Sequence, residues 1–196
     1  MTPLPTLPAL KHLGDLADLQ PCIVSDTREQ LPLVFSRLPS IRGTLQSGDY
    51  SVVGAAELFA VERKSIPDLI GCVTGGRERF ERELHRLRGF RFKRILVVGT
   101  RQELEAGAYR SNVKPSSVLH SLAAWEIRFD CPVVFAPTPE AAARQVEEWA
   151  FWFSREIVEQ ANSMKRGCQS ATRMPANPCN TPLTADVKAE RIPDQP

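Results

Sequence analysis

Residues 48–68, GDYSVVGAAELFAVERKSIPD, decide the fold of this chain. Two short apolar segments separate Asp49 from Glu62, and Gly54 lies between them. The twelve intervening residues are enough for two antiparallel strands and a turn, so we expect the two carboxylates to return side by side. Because side chains alternate along a strand, Glu62 and Lys64 share one face and Arg63 points to the other.

Two carboxylates beside a lysine are typical of a site for a hard divalent cation with a fixed positive charge next to it. Phosphodiester hydrolysis uses these parts, because the metal polarises the phosphoryl oxygen and the cation orients water or offsets transition-state charge. Residues 25–29, SDTRE, follow an apolar strand and could add a third metal-facing carboxylate. Taken singly, each of these residues is more often a solvated charge at a strand end, so the interpretation depends on the group.

The pattern Gly48-Asp49, twelve residues, Glu62-Arg63-Lys64, three residues, Asp68 resembles the G-D-x(n)-E-R-K-x3-D signature of the XPF/Mus-type structure-specific endonucleases. Residues 24–29 are similar to the first-strand motif of that family, and residues 65–69 to the helix after its signature. The resemblance covers about residues 22–150.

This resemblance implies an α/β fold with a restriction-endonuclease-like core of the PD-(D/E)xK type. It makes Asp49, Glu62, Lys64 and Asp26 the catalytic residues, with Asp26, Asp49 and Glu62 as ligands of Mg²⁺ or Mn²⁺. Residues that would contact the substrate or lie behind the ligands are Arg28, Glu29, Arg63 and Asp68, with Asp68 holding the helix start or a basic neighbour. The implied activity is a metal-dependent DNA endonuclease, a hydrolase that cuts one strand near branches and single-strand/double-strand junctions.

A basic segment follows the signature, although the whole chain has a net charge of only +2. Residues 77–94 hold eight basic and three acidic residues, a net +5. Within the helix predicted over 77–90, the arginines expected to contact DNA phosphates are Arg77, Arg79, Arg82 and Arg86, with the first two nearest the catalytic strand end. The alternative is a solvated helix face with i, i+4 ion pairs.

Strand and helix patterns alternate through the middle of the chain, which predicts a mixed sheet flanked by helices. Strands are predicted at 22–25, within 41–64, at 95–99 and at 133–136. Helices are predicted from Ser65, over 77–90, over 115–129, and from Pro139 with Thr138 as N-cap.

The ends of the chain differ from its middle. We expect an N-terminal extension over 1–21 with a short helix carrying Leu10 and Leu13, a nuclease domain over 22–162, and a disordered proline-containing tail over 163–196. The tail has no Gly-x-Gly hairpin pattern, so we expect the helix-hairpin-helix module of eukaryotic and archaeal relatives to be absent. Stand-alone domains of this kind resemble those of bacteria and phages, which favours a role in DNA repair, DNA recombination or phage DNA processing.

The remaining sequence features concern compartment and partners. Five scattered cysteines predict neither disulfides nor a zinc site, and no run of about 18 apolar residues predicts a membrane span, so we expect a cytoplasmic protein with no membrane partner. Phe151 and Trp152 fall outside the core stripe of the last helix, which leaves open packing against the N-terminal segment or a homodimer interface. A protein partner could supply substrate choice.

Two other functions are compatible with the sequence. A non-catalytic DNA-binding pseudo-nuclease subunit would keep the fold, although such subunits typically lose the acidic and lysine positions that are present here. A restriction-type nuclease acting on unbranched duplex would use the same core.

Overall fold

The computed structural model describes residues 20–172, with side chains to residue 168. Six strands form one sheet in the order β2-β1-β3-β4-β5-β6, in which β3 runs antiparallel to both of its neighbours and the other pairs are parallel. The strands are β1 (Ile23–Asp26), β2 (Ser40–Gly43), β3 (Tyr50–Val52), β4 (Phe59–Ser65), β5 (Phe92–Val98) and β6 (Val133–Ala136). The helices are α1 (Ile66–Val73), α2 (Arg77–Leu87), α3 (Arg101–Glu105), α4 (Pro115–Phe129) and α5 (Pro139–Thr172).

The two faces of the sheet carry separate cores. Ala60 of β4 and Ile95 of β5 pack with α1, α2 and α4 on one face. Val61 and Leu96, their neighbours along the same strands, pack with α5 on the other. Since side chains alternate along β4, Glu62 and Lys64 fall on the face of α1 and α2, beside that core rather than under α5.

The start of α1 fixes the end of β4. Ser65 is the N-cap: its hydroxyl accepts the backbone N–H of Asp68 at 3.2 Å and donates to the Asp68 carboxylate at 2.6 Å. Pro67 lies in the first turn, where a missing N–H costs nothing. Asp68 therefore holds the helix start, one of the two roles predicted for it.

Most predicted elements are present, and the differences are local. Strand β5 begins at Phe92, three residues before its predicted start, because Phe92 pairs in parallel with Phe59 of β4. Helix α3 was not predicted. It is a five-residue helix with a capping box between Thr100 and Glu103.

The long helix α5 continues to Thr172, so the prediction that the disordered tail begins at residue 163 is wrong for the first part of that segment. The predicted N-terminal helix and residues 173–196 lie outside the described residues. Among the helices that the structure describes, none combines the length and the apolar character needed to cross a bilayer.

Candidate active site

The hairpin of β3 and β4 places Asp49 beside Glu62 and Lys64. The backbone N–H of Asp49 donates to the carbonyl of Val61 at 2.8 Å, and Asp49 Oδ2 accepts the backbone N–H of Arg63 at 2.7 Å. Gly48 has φ +79°, and a Cβ there would lie 3.2 Å from Ala60 Cβ and from the Val61 carbonyl oxygen. The glycine before Asp49 is therefore needed both for the left-handed backbone and for close contact with β4.

Glu62 and Lys64 form an ion pair on the cleft face of β4. Lys64 Nζ lies 2.5 Å from Glu62 Oε1, and the two side chains are 17% and 8% exposed. The Lys64 ammonium is also 5.4 Å from the centre of the Phe80 ring of α2. The lysine is thereby held in place from both sides, by β4 and by α2.

The electrostatics of the three groups are strongly coupled. Burial and then the charge of Glu62 raise the pKa of Asp49 to about 7. Burial raises the pKa of Glu62 as well, although Lys64 works in the opposite direction. Burial alone would lower the pKa of Lys64, but the carboxylates of Glu62 and Asp49 outweigh it and raise that pKa, so the lysine stays protonated.

The donor set fits a small hard cation. Asp49 accepts a hydrogen bond through Oδ2 and Glu62 through Oε1. Within residues 20–172, the other oxygen of each carboxylate accepts no hydrogen bond, so it is available to a ligand. The described residues contain no group of three or more His, Cys, Asp or Glu side chains arranged to hold a metal ion. Magnesium is commonly held by one or two protein carboxylates and completes its shell with water and substrate phosphate oxygens, which this pair allows.

These groups line a cleft of about 1060 Å³ between the strand ends and helices α1 and α2. A smaller pocket of about 100 Å³ adjoins the cleft and shares four lining residues with it: Arg28, Asp49, Glu62 and Glu83. The charged side chains that line the cleft are Arg28, Glu29, Asp49, Glu62, Arg63, Lys64, Asp68, Arg79 and Glu83. Acidic and basic groups therefore face the same open space, as a metal-assisted reaction on a polyanion requires.

Asp26, which was predicted as a metal ligand, does not line this cleft. Asp26 is 1% exposed, and each of its carboxylate oxygens accepts two hydrogen bonds, three from Arg28 and one from the backbone N–H of Leu45. Burial would raise its pKa, but these hydrogen bonds from Arg28 and Leu45 lower it below its usual value. The turn after β1 directs this carboxylate inward, where it holds the Arg28 guanidinium at the cleft.

Glu29, which was predicted to contact the substrate or lie behind the ligands, lines the cleft. Its side chain is 10% exposed, and Oε1 accepts the backbone N–H of Leu31 at 2.9 Å and lies 3.5 Å from Arg63 Nη1. The charge of Glu29 contributes to the raised pKa of Asp49, which places it among the acids of the site.

The basic helix α2 divides its arginines between different surfaces. Arg79 lines the cleft, and Arg86 lines the smaller pocket beside Asp49. Arg77, predicted to lie nearest the catalytic strand end, instead points to α4: it donates to Ser121 Oγ at 2.6 Å and lies 5.3 Å from the centre of the Trp125 ring. Arg82 lies on the outer side of α2, away from the cleft.

Several residues of the cleft were missed in the sequence, among them Gln30, Leu31, Gly71, Cys72 and Glu83. Glu83 follows Arg79 by four residues, so helical periodicity could have placed both on one face. Cys72 is buried in α1, where burial raises the pKa of its thiol to about 11, so it stays uncharged. No pattern in the sequence marks this cysteine, because its position depends on how α1 packs on β4.

Comparison with known proteins found similar structures and a matching family. Two solved structures of XPF from Aeropyrum pernix are similar to this chain. One is 21% identical with a TM-score of 0.55 and covers 79% of this chain and 76% of that chain. The other, in complex with DNA, is 23% identical with a TM-score of 0.56 and covers 70% and 66%.

No curated protein matches the chain by sequence. The fold is the restriction-endonuclease-like fold of XPF nuclease domains, as predicted. The model of the ERCC4 domain matches residues 25–148, and the chain belongs to the ERCC4 domain family.

Proposed function

We propose that this protein is a divalent-metal-dependent DNA endonuclease that hydrolyses one strand of branched or junction-containing DNA. The observation that carries the proposal is the cluster of Asp49, Glu62 and the Lys64 ammonium in a cleft that arginines also line. Membership of the ERCC4 domain family supports a nuclease, and a DNA complex of the similar XPF from Aeropyrum pernix supports DNA as the substrate.

Asp49 and Glu62 would hold the metal, Mg²⁺ or Mn²⁺, through the carboxylate oxygens that accept no hydrogen bond. When bound, the ion would polarise the phosphoryl group and lower the pKa of a water molecule. Glu29, rather than Asp26, is the third acid that we assign to the site, because it lines the cleft while Asp26 is fully hydrogen-bonded elsewhere.

Lys64 would act on the attacking water and on the phosphoryl oxygens. Its ammonium stays charged and is fixed by Glu62, so it can orient water or offset negative charge that develops in the transition state. Arg28 and Arg79 in the cleft, and Arg86 in the adjoining pocket, would bind phosphates of the same strand. The strand would then cross the cleft with its scissile phosphate at Asp49.

A role in DNA repair, DNA recombination or phage DNA processing belongs to the same proposal, as do a cytoplasmic location and a protein partner that helps choose the substrate. A homodimer is also proposed. Phe151 of α5 is fully buried, while its neighbour Trp152 is 53% exposed and available for contact. A monomer mass in light scattering at micromolar concentration would contradict the dimer.

The two alternatives predict different products. A pseudo-nuclease subunit would bind DNA without cutting it, and the presence of Asp49, Glu62 and Lys64 argues against that function. A restriction-type nuclease would cut ordinary duplex at fixed positions.

A panel of end-labelled flap, fork and four-way-junction DNA, with unbranched duplex and plasmid as controls, tests the proposal in the presence of Mg²⁺. We expect cuts in one strand near the branch and none in the controls. Cleavage of plasmid at fixed positions would favour the restriction-type enzyme. Binding without cleavage in both Mg²⁺ and Mn²⁺ would favour the pseudo-nuclease.

A further inference from the structure

Two large apolar side chains are exposed at the rim of the cleft. Leu31 is 74% exposed and Val34 is 85% exposed, and both lie in the connection between β1 and β2. Neighbouring exposed apolar side chains next to a functional cleft are unusual on a soluble surface and mark contact with a ligand or partner.

The connection is anchored on both sides of these residues. The backbone N–H of Leu31 donates to Glu29, and that of Leu33 donates to the Tyr50 hydroxyl at 2.9 Å. Farther along, Glu147 Oε1 accepts the backbone N–H groups of Ser36, Arg37 and Leu38 at 2.8, 2.6 and 3.1 Å. The exposure of Leu31 and Val34 is therefore imposed by a fixed backbone.

A cavity of about 390 Å³ lies between this connection and the start of α5. Its walls are largely apolar and include Leu31, Pro32, Val34 and Pro139. Leu31 and Arg63 line both this cavity and the catalytic cleft, so the two spaces are adjacent.

Arg63 offers the cavity one polar group with a defined role. Its side chain is 14% exposed, it lines both the cavity and the cleft, and its Nη1 lies 3.5 Å from Glu29 Oε1. A guanidinium carries several N–H donors, so a ligand in the cavity that brings an acceptor atom can form a hydrogen bond with it.

The chemistry of the cavity fits a nucleobase better than a phosphate. Glu140 lies at its edge and would repel a phosphate, whereas the apolar walls suit the face of a base. Every base also carries acceptor atoms on its edge that could receive an N–H. Only an unpaired base exposes both its face and its edge, because pairing and stacking occupy them in a duplex.

We propose that Leu31, Val34 and Arg63 form a subsite for an unpaired nucleobase of the DNA strand that lies in the cleft. The subsite rests on the proposed function and deepens it. By holding one unpaired base next to the cutting site, it would allow this domain to distinguish single-stranded regions at a junction from continuous duplex.

The test uses forked DNA with 2-aminopurine at single unpaired positions, in metal-free buffer so that no cleavage occurs. The test variant is Leu31→Ser/Val34→Ser. The matched control is Ile127→Ser, which removes an apolar side chain that is 87% exposed on α4. Thermal melting by circular dichroism verifies folding, and the two single serine variants replace the double variant if it does not fold.

For the wild type and the Ile127→Ser control, we expect a fluorescence change at one unpaired position near the junction. The double variant should lose this change and bind forked DNA about tenfold more weakly, with unbranched duplex binding unchanged. Equal loss on fork and duplex, or wild-type fork binding by the double variant, would overturn the subsite. A changed sedimentation coefficient of the double variant would also overturn it, because the surface would then contact protein. Wild-type protein that binds no DNA would refute the proposed function itself.

Discussion

At the scale of single residues, two aspartates of this chain have pKa values that are shifted in opposite directions. Asp26 accepts four hydrogen bonds, and its pKa is lowered. Asp49 accepts one and faces Glu62, and its pKa is raised to about 7. The protein compensates the charge of Asp26 internally and that of Asp49 only in part, through Lys64 and the backbone N–H of Arg63. A carboxylate in that second condition gains most from a bound cation.

The first prediction concerns Asp26 and stability. Asp26→Asn should lower the free energy of unfolding at neutral pH by about 1–3 kcal/mol, because the charged hydrogen bonds to Arg28 and Leu45 are weakened. Since the folded pKa lies below the unfolded value of 3.8, this stabilisation is present above pH 3.8 and is lost as the pH falls through the folded pKa. Urea unfolding at neutral and acidic pH measures it. The difference in unfolding free energy between wild type and Asp26→Asn should shrink as the pH falls. A difference that grows on acidification would contradict the lowered pKa of Asp26.

At the scale of elements, α2 shows how one helix serves two purposes. Arg77 and Arg79 are two residues apart, so they lie about 200° apart around the helix axis. Arg79 reaches the cleft, while Arg77 ties α2 to α4 through Ser121 and Trp125.

The second prediction separates these two arginines. Arg79→Ala should weaken DNA binding and reduce the slope of log affinity against log salt by about 1, because one phosphate contact is lost. Arg77→Ala should leave DNA affinity near the wild-type value and lower the melting temperature, because it loses contacts within the fold. Fluorescence anisotropy at several salt concentrations makes the comparison. If Arg77→Ala instead had the lower salt slope, the phosphate contact would belong to Arg77 and not to Arg79.

The third prediction concerns the attachment of the β1–β2 connection to α5. Glu147→Ala should destabilise the fold by about 3 kcal/mol, because one buried and two part-buried backbone N–H groups lose the acceptor that they share. Glu147→Gln keeps a carbonyl oxygen at that place, so it should cost clearly less. Denaturant unfolding of both variants tests this, and equal losses would show that the acceptor oxygen is not what stabilises the connection.

The elements themselves could be predicted largely from hydrophobic periodicity and caps, whereas several side-chain positions could not. The β3–β4 hairpin followed from the spacing of Asp49 and Glu62, and the start of α5 followed from Thr138 and Pro139. Helix α3 is too short to show a period, although its capping box between Thr100 and Glu103 was readable. Glu29 lines the cleft and Asp26 does not because of the conformation of a turn, which the order of residues does not reveal.

At the scale of the whole molecule, the sheet separates the cleft from α5, the helix that anchors the β1–β2 connection. The cleft lies on the face of α1 and α2, while α5 packs the other face and holds the β1–β2 connection through Glu147. The connection passes the strand ends, where Glu29 and Leu31 line the cleft. Changes in α5 can therefore affect the site without touching it.

The basic segment of residues 77–94 is not one continuous DNA-binding patch in the folded molecule. Arg79 and Arg86 reach the cleft and its side pocket, whereas Lys93 is paired with Asp130 at 2.8 Å and Arg77 with Glu81 at 3.2 Å. The net +5 of the segment therefore overstates the charge available to a phosphate backbone, because part of it stabilises the fold.

We propose that Asp49, Glu62 and Lys64 form a metal-dependent phosphodiesterase centre in which Asp26 only positions Arg28. Single-turnover cleavage of forked DNA in Mg²⁺ tests this proposal, with Asp49→Asn, Lys64→Met and the matched control Asp26→Asn at a temperature where all are folded. We predict that the first two variants bind the fork but cut it at least about 100-fold more slowly than wild type, and that Asp26→Asn keeps most of the activity. Wild-type rates for Asp49→Asn or Lys64→Met, or a loss confined to Asp26→Asn, would contradict the account.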